Sequence, residues 1–297
     1  MFAQTSFAQE TLLTQQVAAQ PKWKTTFSSY YYNFDGSRAS NRADYSFGAT
    51  TLNIQLMGLQ YQFENGWTAM LMVPYMQNWV STKFFGTWYH DTTSGVGDTV
   101  LAVVKPIMTK GSFMLITDLG LSVPTGSIDE KNVNDPTRKT HYAYNMQMGS
   151  GTFDGVFGAT ALYLQPSYQL GSHLGTTLRT GTLNDNGYRL GNQYKLDVWV
   201  DRPLQYGLTP RVVGYYRYKD AIGGRDNTFG RNQLVEFYHH SQINWDMSAA
   251  LKYDYHLAPK VALNAEAGIP FAQDSQNYDN VVVSTQYYLN LGVAGVF

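Results

Sequence analysis

The sequence predicts an all-β fold: a closed antiparallel transmembrane β-barrel of twelve strands, with short turns at one end and long loops at the other. Three observations carry that expectation. Apolar and polar residues alternate with period 2 in segment after segment, the pattern of strands with one greasy and one wet face. No run approaches the roughly 18 to 20 apolar residues that a membrane helix needs, although 43% of the chain is hydrophobic. A barrel crossing takes only about 9 to 11 residues, of which alternate ones are apolar, so the mean hydropathy of −0.31 is compatible with a membrane. Finally, the gaps between segments alternate between very short and long.

In chain order, residues 1–21 are a Gln-rich stretch whose longest apolar hint is Thr11-Leu12-Leu13. It lacks the charged and apolar regions of a leader, so the chain is expected to be already processed, its signal peptide removed after passage across an inner membrane. This tail is expected to be flexible, either a periplasmic tether or a lumen plug, and the barrel is expected over residues 22–297. Turn chemistry falls at Glu64-Asn65-Gly66, Thr109-Lys110-Gly111, Gln205-Tyr206-Gly207 and Ala258-Pro259-Lys260, with a looser connection between Gln165 and Ser172. Longer gaps near 35–47, 80–95, 124–150, 184–190, 220–238 and 273–280 are rich in Asp, Asn, Gly and Ser. Five turns interleaved with six loops give the twelve strands. Closure is required because lipid cannot satisfy the backbone of an open sheet edge.

The two faces separate most cleanly toward the C-terminus. Ile243, Trp245, Met247, Ala249, Leu251, Tyr253 and Tyr255 share one face, and Asn244, Asp246, Ser248, Ala250, Lys252, Asp254 and His256 the other. Val261, Leu263, Ala265, Ala267, Ile269 and Phe271 likewise alternate with Asn264, Glu266 and Gly268. Earlier, Leu196, Val198 and Val200 point outward against Lys195, Asp197, Trp199 and Asp201, and Val212, Gly214 and Tyr216 against Arg211, Tyr215 and Arg217. A cation at the lipid midplane costs about 2–4 kcal/mol, so the charges belong inside. That assigns Lys24, Lys105, Arg179, Lys195, Arg211, Arg217 and Lys252, with Asp118, Asp197, Asp201, Asp246, Asp254 and Glu266, to the lumen. The bore-lining set along a solute path is expected to be Asp118, Arg179, Lys195, Asp197, Arg211, Arg217, Asp246, Lys252, Asp254 and Glu266. Mixed signs predict cross-lumen ion pairs and a restricted bore rather than a wide channel selective for one sign. Met70, Met72 and Met76 are expected inside, opposite Trp67, Leu71, Val73, Tyr75 and Trp79. They form a greasy patch that suits either an apolar solute or an inserted N-terminal segment. A soluble β-sandwich or barrel would need its inner face apolar, against the charges placed there.

With 23 Tyr, 15 Phe and 6 Trp, the chain can supply interface belts, and Trp23, Trp67, Tyr75, Trp79, Trp245, Tyr253 and Tyr255 fall where strands should meet headgroups. The last strand, 281–297, carries Phe297, Val293, Leu291, Leu289, Tyr287 and Val283 on one face and stops on an aromatic. That ending resembles bacterial outer-membrane barrels. The resemblance implies that Phe297, Val293, Leu291 and Leu289 form the insertion signal read by the barrel-assembly machinery of a Gram-negative outer membrane. The short turns are then periplasmic, the long loops extracellular, and lipid and lipopolysaccharide the surroundings. The absence of cysteine suits an oxidising periplasm and removes thiolate chemistry. A net charge of −1 gives no pull toward nucleic acid.

Three blocks go beyond generic barrel pattern. Ser94-Gly95-Val96-Gly97-Asp98-Thr99 leads into the fourth predicted strand, Leu119-Gly120-Leu121-Ser122-Val123-Pro124-Thr125-Gly126-Ser127 ends the fifth, and Met148-Gly149-Ser150-Gly151-Thr152-Phe153-Asp154 opens the sixth. In that order, over residues 94–297, they resemble the transporter-like outer-membrane barrels of the meta-pathway of phenol degradation. The resemblance implies a small barrel linked to uptake of aromatic or other hydrophobic compounds, and it supplies no catalytic residue. The glycines and Pro124 are expected to serve strand ends, where the backbone bends or stops pairing.

Enzyme chemistry has one candidate. His239 and Ser241 sit at i and i+2 on one strand face, similar to the His-x-Ser pair of outer-membrane lipid hydrolases. The pair needs an orienting acid or amide on the same face, but Tyr253 cannot serve, and Asp246 and Asp254 have the opposite parity. A lipid hydrolase using His239/Ser241 is thus the lesser alternative, and no enzyme activity is expected. His90-Asp91, His239-His240 and Asp129-Glu130 with Asp135 lack the spacing of a metal site, and the Gly95 to Asp98 segment lacks the helix and Lys of a phosphate loop. No metal or cofactor is expected. The expected function is an outer-membrane channel or transporter for small hydrophobic or aromatic molecules through a narrow charged lumen. The alternative is a non-transporting barrel that anchors a larger surface or periplasmic complex by its loops or tail.

Overall fold

The computed structural model describes residues 22–35, 45–84, 86–132, 140–229, 240–277 and 284–297. The tail over 1–21, together with Asp135, His239, Val281 and Val283, lies outside them. The strands are β1 (Lys22–Asp35), β2 (Tyr45–Gln62), β3 (Thr68–Phe84), β4 (Thr87–Val96), β5 (Thr99–Lys110), β6 (Phe113–Val123), β7 (Asp154–Leu164) and β8 (Gln169–Arg179). They continue as β9 (Tyr188–Arg189), β10 (Gln193–Asp201), β11 (Leu208–Lys219), β12 (Gly223–Gly224), β13 (Gln242–Ala258), β14 (Val261–Asn277) and β15 (Ser284–Val296).

Antiparallel neighbours run β2-β1-β15-β14-β13-β11-β10-β8-β7-β6-β5-β3-β4, and a further β2–β3 pairing closes the cylinder. β4 and β5 share one place, because β3 pairs with β4 along its upper half, from Tyr75↔Val96 to Phe84↔Thr87, and with β5 along its lower half, from Thr68↔Val104 to Met72↔Val100. The result is the twelve-stranded antiparallel barrel with one interrupted strand. β9 and β12 pair only with each other, in the loops. The interruption falls at Gly97-Asp98, where the Gly97 N–H reaches the Pro74 carbonyl oxygen at 2.8 Å. Each predicted turn joins two of these strands, and the Glu64-Asn65-Gly66 and Lys110-Gly111 turns place their glycines at φ 80° and 58°, the left-handed region.

Two expectations change. The stretch 80–95 is a tall β3–β4 hairpin around Gly86, not a loop. Its Thr and aromatic residues, Thr82, Thr87, Trp88, Tyr89, Thr92 and Thr93, favour strand, but it lacks the apolar alternation that marks a lipid crossing. Lys105 shares the outward face of exposed Leu101 and Val103, since Val104 is the buried neighbour. Its ammonium lies 4.8 Å from the centroid of the Trp67 ring at the turn end, where a long side chain snorkels to the interface.

Outward and inward residues differ as a lipid-embedded wall demands. Ile269 is 64% exposed and Leu174 60%, whereas Ser248 and Thr160 are fully buried. Aromatic contacts gather at the turn end, with Trp23, Tyr61 and Phe63 packed ring to ring at 4.7 Å and Tyr163 beside Tyr168. A second set, Tyr31–Tyr287 and Tyr194–Tyr218, lies toward the loop end. The wall is uneven in height: β2, β3, β13 and β14 have 17 or 18 residues, far more than a crossing needs, whereas β6, β7, β8 and β10 have 9 to 11. The loops above the low side fold inward against the tall side, and this positions the site.

Candidate solute site in the barrel lumen

The inner face is divided. From β1 to β7 it is mainly apolar, with Lys24, Gln60, Asn78 and Asp118 as buried polar exceptions: Tyr30, Leu52, Ile54, Leu56, Met70, Met72, Val104, Ile116 and Leu162 form one buried cluster that reaches Trp199 and Val213 on β10 and β11. Met76 packs against this cluster rather than lying within it. From β10 to β14 it is ionic.

The ionic side is built around Arg211. Its Nε and Nη2 donate to the two Asp201 carboxylate oxygens at 2.6 and 2.8 Å, a planar fork, and its Nη1 donates to Glu266 at 3.2 Å. The Tyr288 hydroxyl donates to the other Glu266 oxygen at 3.0 Å, and Lys252 stands 3.9 Å from Asp201. Higher up, Arg217 pairs with Asp197, and the Ser248 hydroxyl donates to Asp246 at 3.1 Å. Glycines give these side chains room. In register, Asp118 faces Gly158, Gly158 faces Gly175, and Gly175 faces Lys195. A Cβ on Gly158 would stand 2.5 Å from the Asp118 carboxylate, and one on Gly175 2.4 Å from Lys195 Cε. Asp118 and Lys195 therefore lean over two bare strands toward each other, and both are buried.

Above these layers the segment after β6 turns into the mouth. Tyr142, Tyr144, Met146 and Met148 are all buried. Tyr144 packs with Tyr188, Ile222 and Phe229, which joins this segment to the loops after β8 and β11. Asp226 is the polar hub of that roof: it meets His141 Nδ1 at 2.9 Å, accepts from the Thr228 hydroxyl at 2.7 Å, and gives its own N–H to the Tyr144 hydroxyl. On the far side, the Thr93 hydroxyl donates to the Met146 carbonyl at 2.8 Å and the Tyr142 hydroxyl to Asp91 at 3.1 Å, so the roof spans from β11 to β4. Asp98 anchors its ends by accepting the N–H groups of Gly126 and Ser150 at 3.1 and 2.7 Å. The close approach of Gly126 to Gly149 leaves no room for a side chain on either, which explains the glycines of the second and third sequence blocks. Beneath the roof is a cavity of about 170 Å³, bounded by Tyr30, Leu52, Ile54, Leu56, Met72 and Met76 on the wall, Tyr144, Asn145 and Gln147 to Ser150 above, and Asp98, Arg179, Gln193 and Lys219 at the rim.

Of the residues expected to line the bore, Asp201 was not in the set although it binds Arg211, whereas Asp118, Lys195, Asp197, Arg211, Arg217, Asp246, Lys252 and Glu266 lie on the inner face beside one another. Arg179 stands apart at the cavity rim, paired with Asp154. Asp254 is half-buried near the turn end and joins no ion pair among the described residues. Sequence reasoning missed Lys219, Asp154 and Asp98. Lys219 continues the inward series Arg211, Tyr215, Arg217 by one step of two, a signal that placing the loop at 220 obscured. Ser241 lies just before β13, and its expected partner His239 falls outside the described residues. Among the described residues, no group of three or more His, Cys, Asp or Glu is gathered to hold a metal ion. Leu289, Leu291, Val293 and Phe297, the residues expected to form an insertion signal, all face outward and are exposed.

Residues 55–277 match the family described as "Putative MetA-pathway of phenol degradation". No curated protein matches the chain by sequence. Among solved structures, an outer-membrane channel from Pseudomonas putida F1 superposes with a TM-score of 0.62 at 13% identity, covering 95% of this chain and 97% of that one. The NanC porin superposes at 0.44, with 12% identity and 91% and 98% coverage. A Pseudomonas aeruginosa FadL homologue superposes at 0.39, with 8% identity and 94% and 90% coverage. The first of these establishes a common fold.

Proposed function

We propose that this chain, which belongs to the family described as "Putative MetA-pathway of phenol degradation", is a gated outer-membrane channel for small hydrophobic or aromatic molecules. The observation that carries the reading is the cavity of about 170 Å³ between an apolar barrel wall and an in-turned roof. An apolar cavity of about 150 Å³ accepts a benzene ring, so a single-ring body fits the space.

The gate is the roof. It is held by side-chain hydrogen bonds at Asp226, Thr93 and Asp91 and by one small aromatic cluster, contacts that can part and reform without breaking a strand pairing. Below the cavity the bore is restricted, because the Arg211 and Arg217 ion pairs and the apolar cluster occupy the inner face. A solute leaving the cavity passes between a greasy side and a charged side, an arrangement suited to amphipathic molecules rather than free ions. The exposed last-strand face serves insertion by the assembly machinery.

The test is uptake of radiolabelled benzamide by porin-deficient cells that express the chain. Faster uptake than in cells without it supports the channel. Equal uptake, together with a stoichiometric protein partner in a pull-down, would instead favour an anchoring role.

A further inference from the structure

Lys219 ends the inward series of β11 and lines the upper cavity while only 9% exposed. Among the described residues no hydrogen bond or ion pair holds its ammonium. The titratable neighbour it feels is a like charge, Arg179. Arg179 gives one Nη to Asp154, and its Nε is buried without a hydrogen-bond partner. Buried cations are normally paired, because removing an ion from water without a partner is costly. The acid that lines the same cavity, Asp98, is turned to the backbone N–H groups of Gly126 and Ser150. Two cationic donors thus border a cavity whose opposite wall is Leu52, Ile54 and Met72.

We infer that this cavity is a binding site for a single-ring aromatic carboxylate, its ring against the apolar wall of β2 and β3 and its carboxylate between the Lys219 ammonium and the Arg179 Nε–H. The inference rests on the channel reading and deepens it by naming the head group of the solute. Lys219 acts as a point charge that needs no fixed geometry, and Arg179 supplies direction, because Asp154 already holds its guanidinium plane.

Calorimetric titration of the full chain in detergent tests it, with sodium benzoate as one probe and benzamide, of the same shape without charge, as the other. The wild type is expected to bind benzoate more tightly than benzamide. Lys219→Gln is expected to weaken benzoate about ten- to a hundredfold, the loss of one charge-assisted hydrogen bond, and to leave benzamide unchanged. Lys219→Arg is expected to keep most of the benzoate affinity, and heat-dependent gel mobility reports that each variant is folded. Equal affinity for the two probes, benzoate binding untouched by Lys219→Gln, or no binding of either overturns the assignment. Benzamide uptake in cells separates the two readings: a chain that passes benzamide without preferring benzoate loses the carboxylate site and keeps the channel. A chain that binds benzoate through Lys219 and passes neither probe keeps the site and loses the channel.

Discussion

Replacing Arg211 with Met keeps the length of the side chain and removes the cation on which two carboxylates converge. The side chains of Arg211, Asp201 and Glu266 are 2%, 3% and 10% exposed, so water cannot take over the lost contacts. Three charge-assisted hydrogen bonds disappear. What remains is Lys252 at 3.9 Å from Asp201 and the Tyr288 hydroxyl on Glu266, each a partial replacement. Breaking a buried ion pair by removing one partner costs about 3–5 kcal/mol, and with Lys252 nearby the expected loss is near the lower end, about 3 kcal/mol. The measurement is reversible urea unfolding of the barrel in phospholipid vesicles, followed by tryptophan fluorescence. Pairing Arg211→Met with Asp201→Asn completes a cycle, and the double variant is expected to lose less than the sum of the singles by about 1–3 kcal/mol. A loss below about 1 kcal/mol for Arg211→Met, or strict additivity, would refute the idea that these charges form one buried unit.

Gly175→Val is expected to destabilise the barrel in the same assay, because its first added carbon already meets the Lys195 stem, whereas Gly214→Ala, where the nearest atoms are 3.9 Å away, is expected to be nearly neutral. Asp226→Asn loosens the His141 and Thr228 contacts that hold the roof and is expected to raise the open time of single barrels in planar bilayers without lowering barrel stability. Leu251→Arg, on the exposed outer face, is expected to cost about 2–4 kcal/mol in vesicles, and Ala250→Arg, one residue away on the inner face, should lack that lipid penalty.

The barrel was legible because membrane physics writes it into the sequence twice, once as alternation and once as the contrast of turn and loop. Leu251 and Lys252 can lie next to each other only if one meets lipid and the other does not. The β3–β4 hairpin was hidden for the complementary reason: around Trp88 and Tyr89 the strand stands above the membrane, where neither face is forced to be apolar. Lys105 failed the rule that charges go inside because it lies at the interface, where a stem can stay in lipid while its ammonium reaches Trp67 and water. The ionic residues of β10 to β14 could be listed from parity, yet their partners could not, since the Arg211 to Glu266 contact joins strands that are not adjacent. The roof was least legible of all. Tyr144, Met146 and Asp226 come from loops without periodicity, and only the contacts of Tyr144 with Tyr188 and Asp226 and of Met146 with Thr93 make them part of a site.

Single-barrel conductance in planar bilayers tests the central claim, a closed cylinder whose mouth is roofed and whose bore is crossed by ion pairs. A small conductance is expected, increasing when the roof is loosened by Asp226→Asn. A large, ohmic conductance from wild-type barrels, unchanged by that substitution, would contradict it.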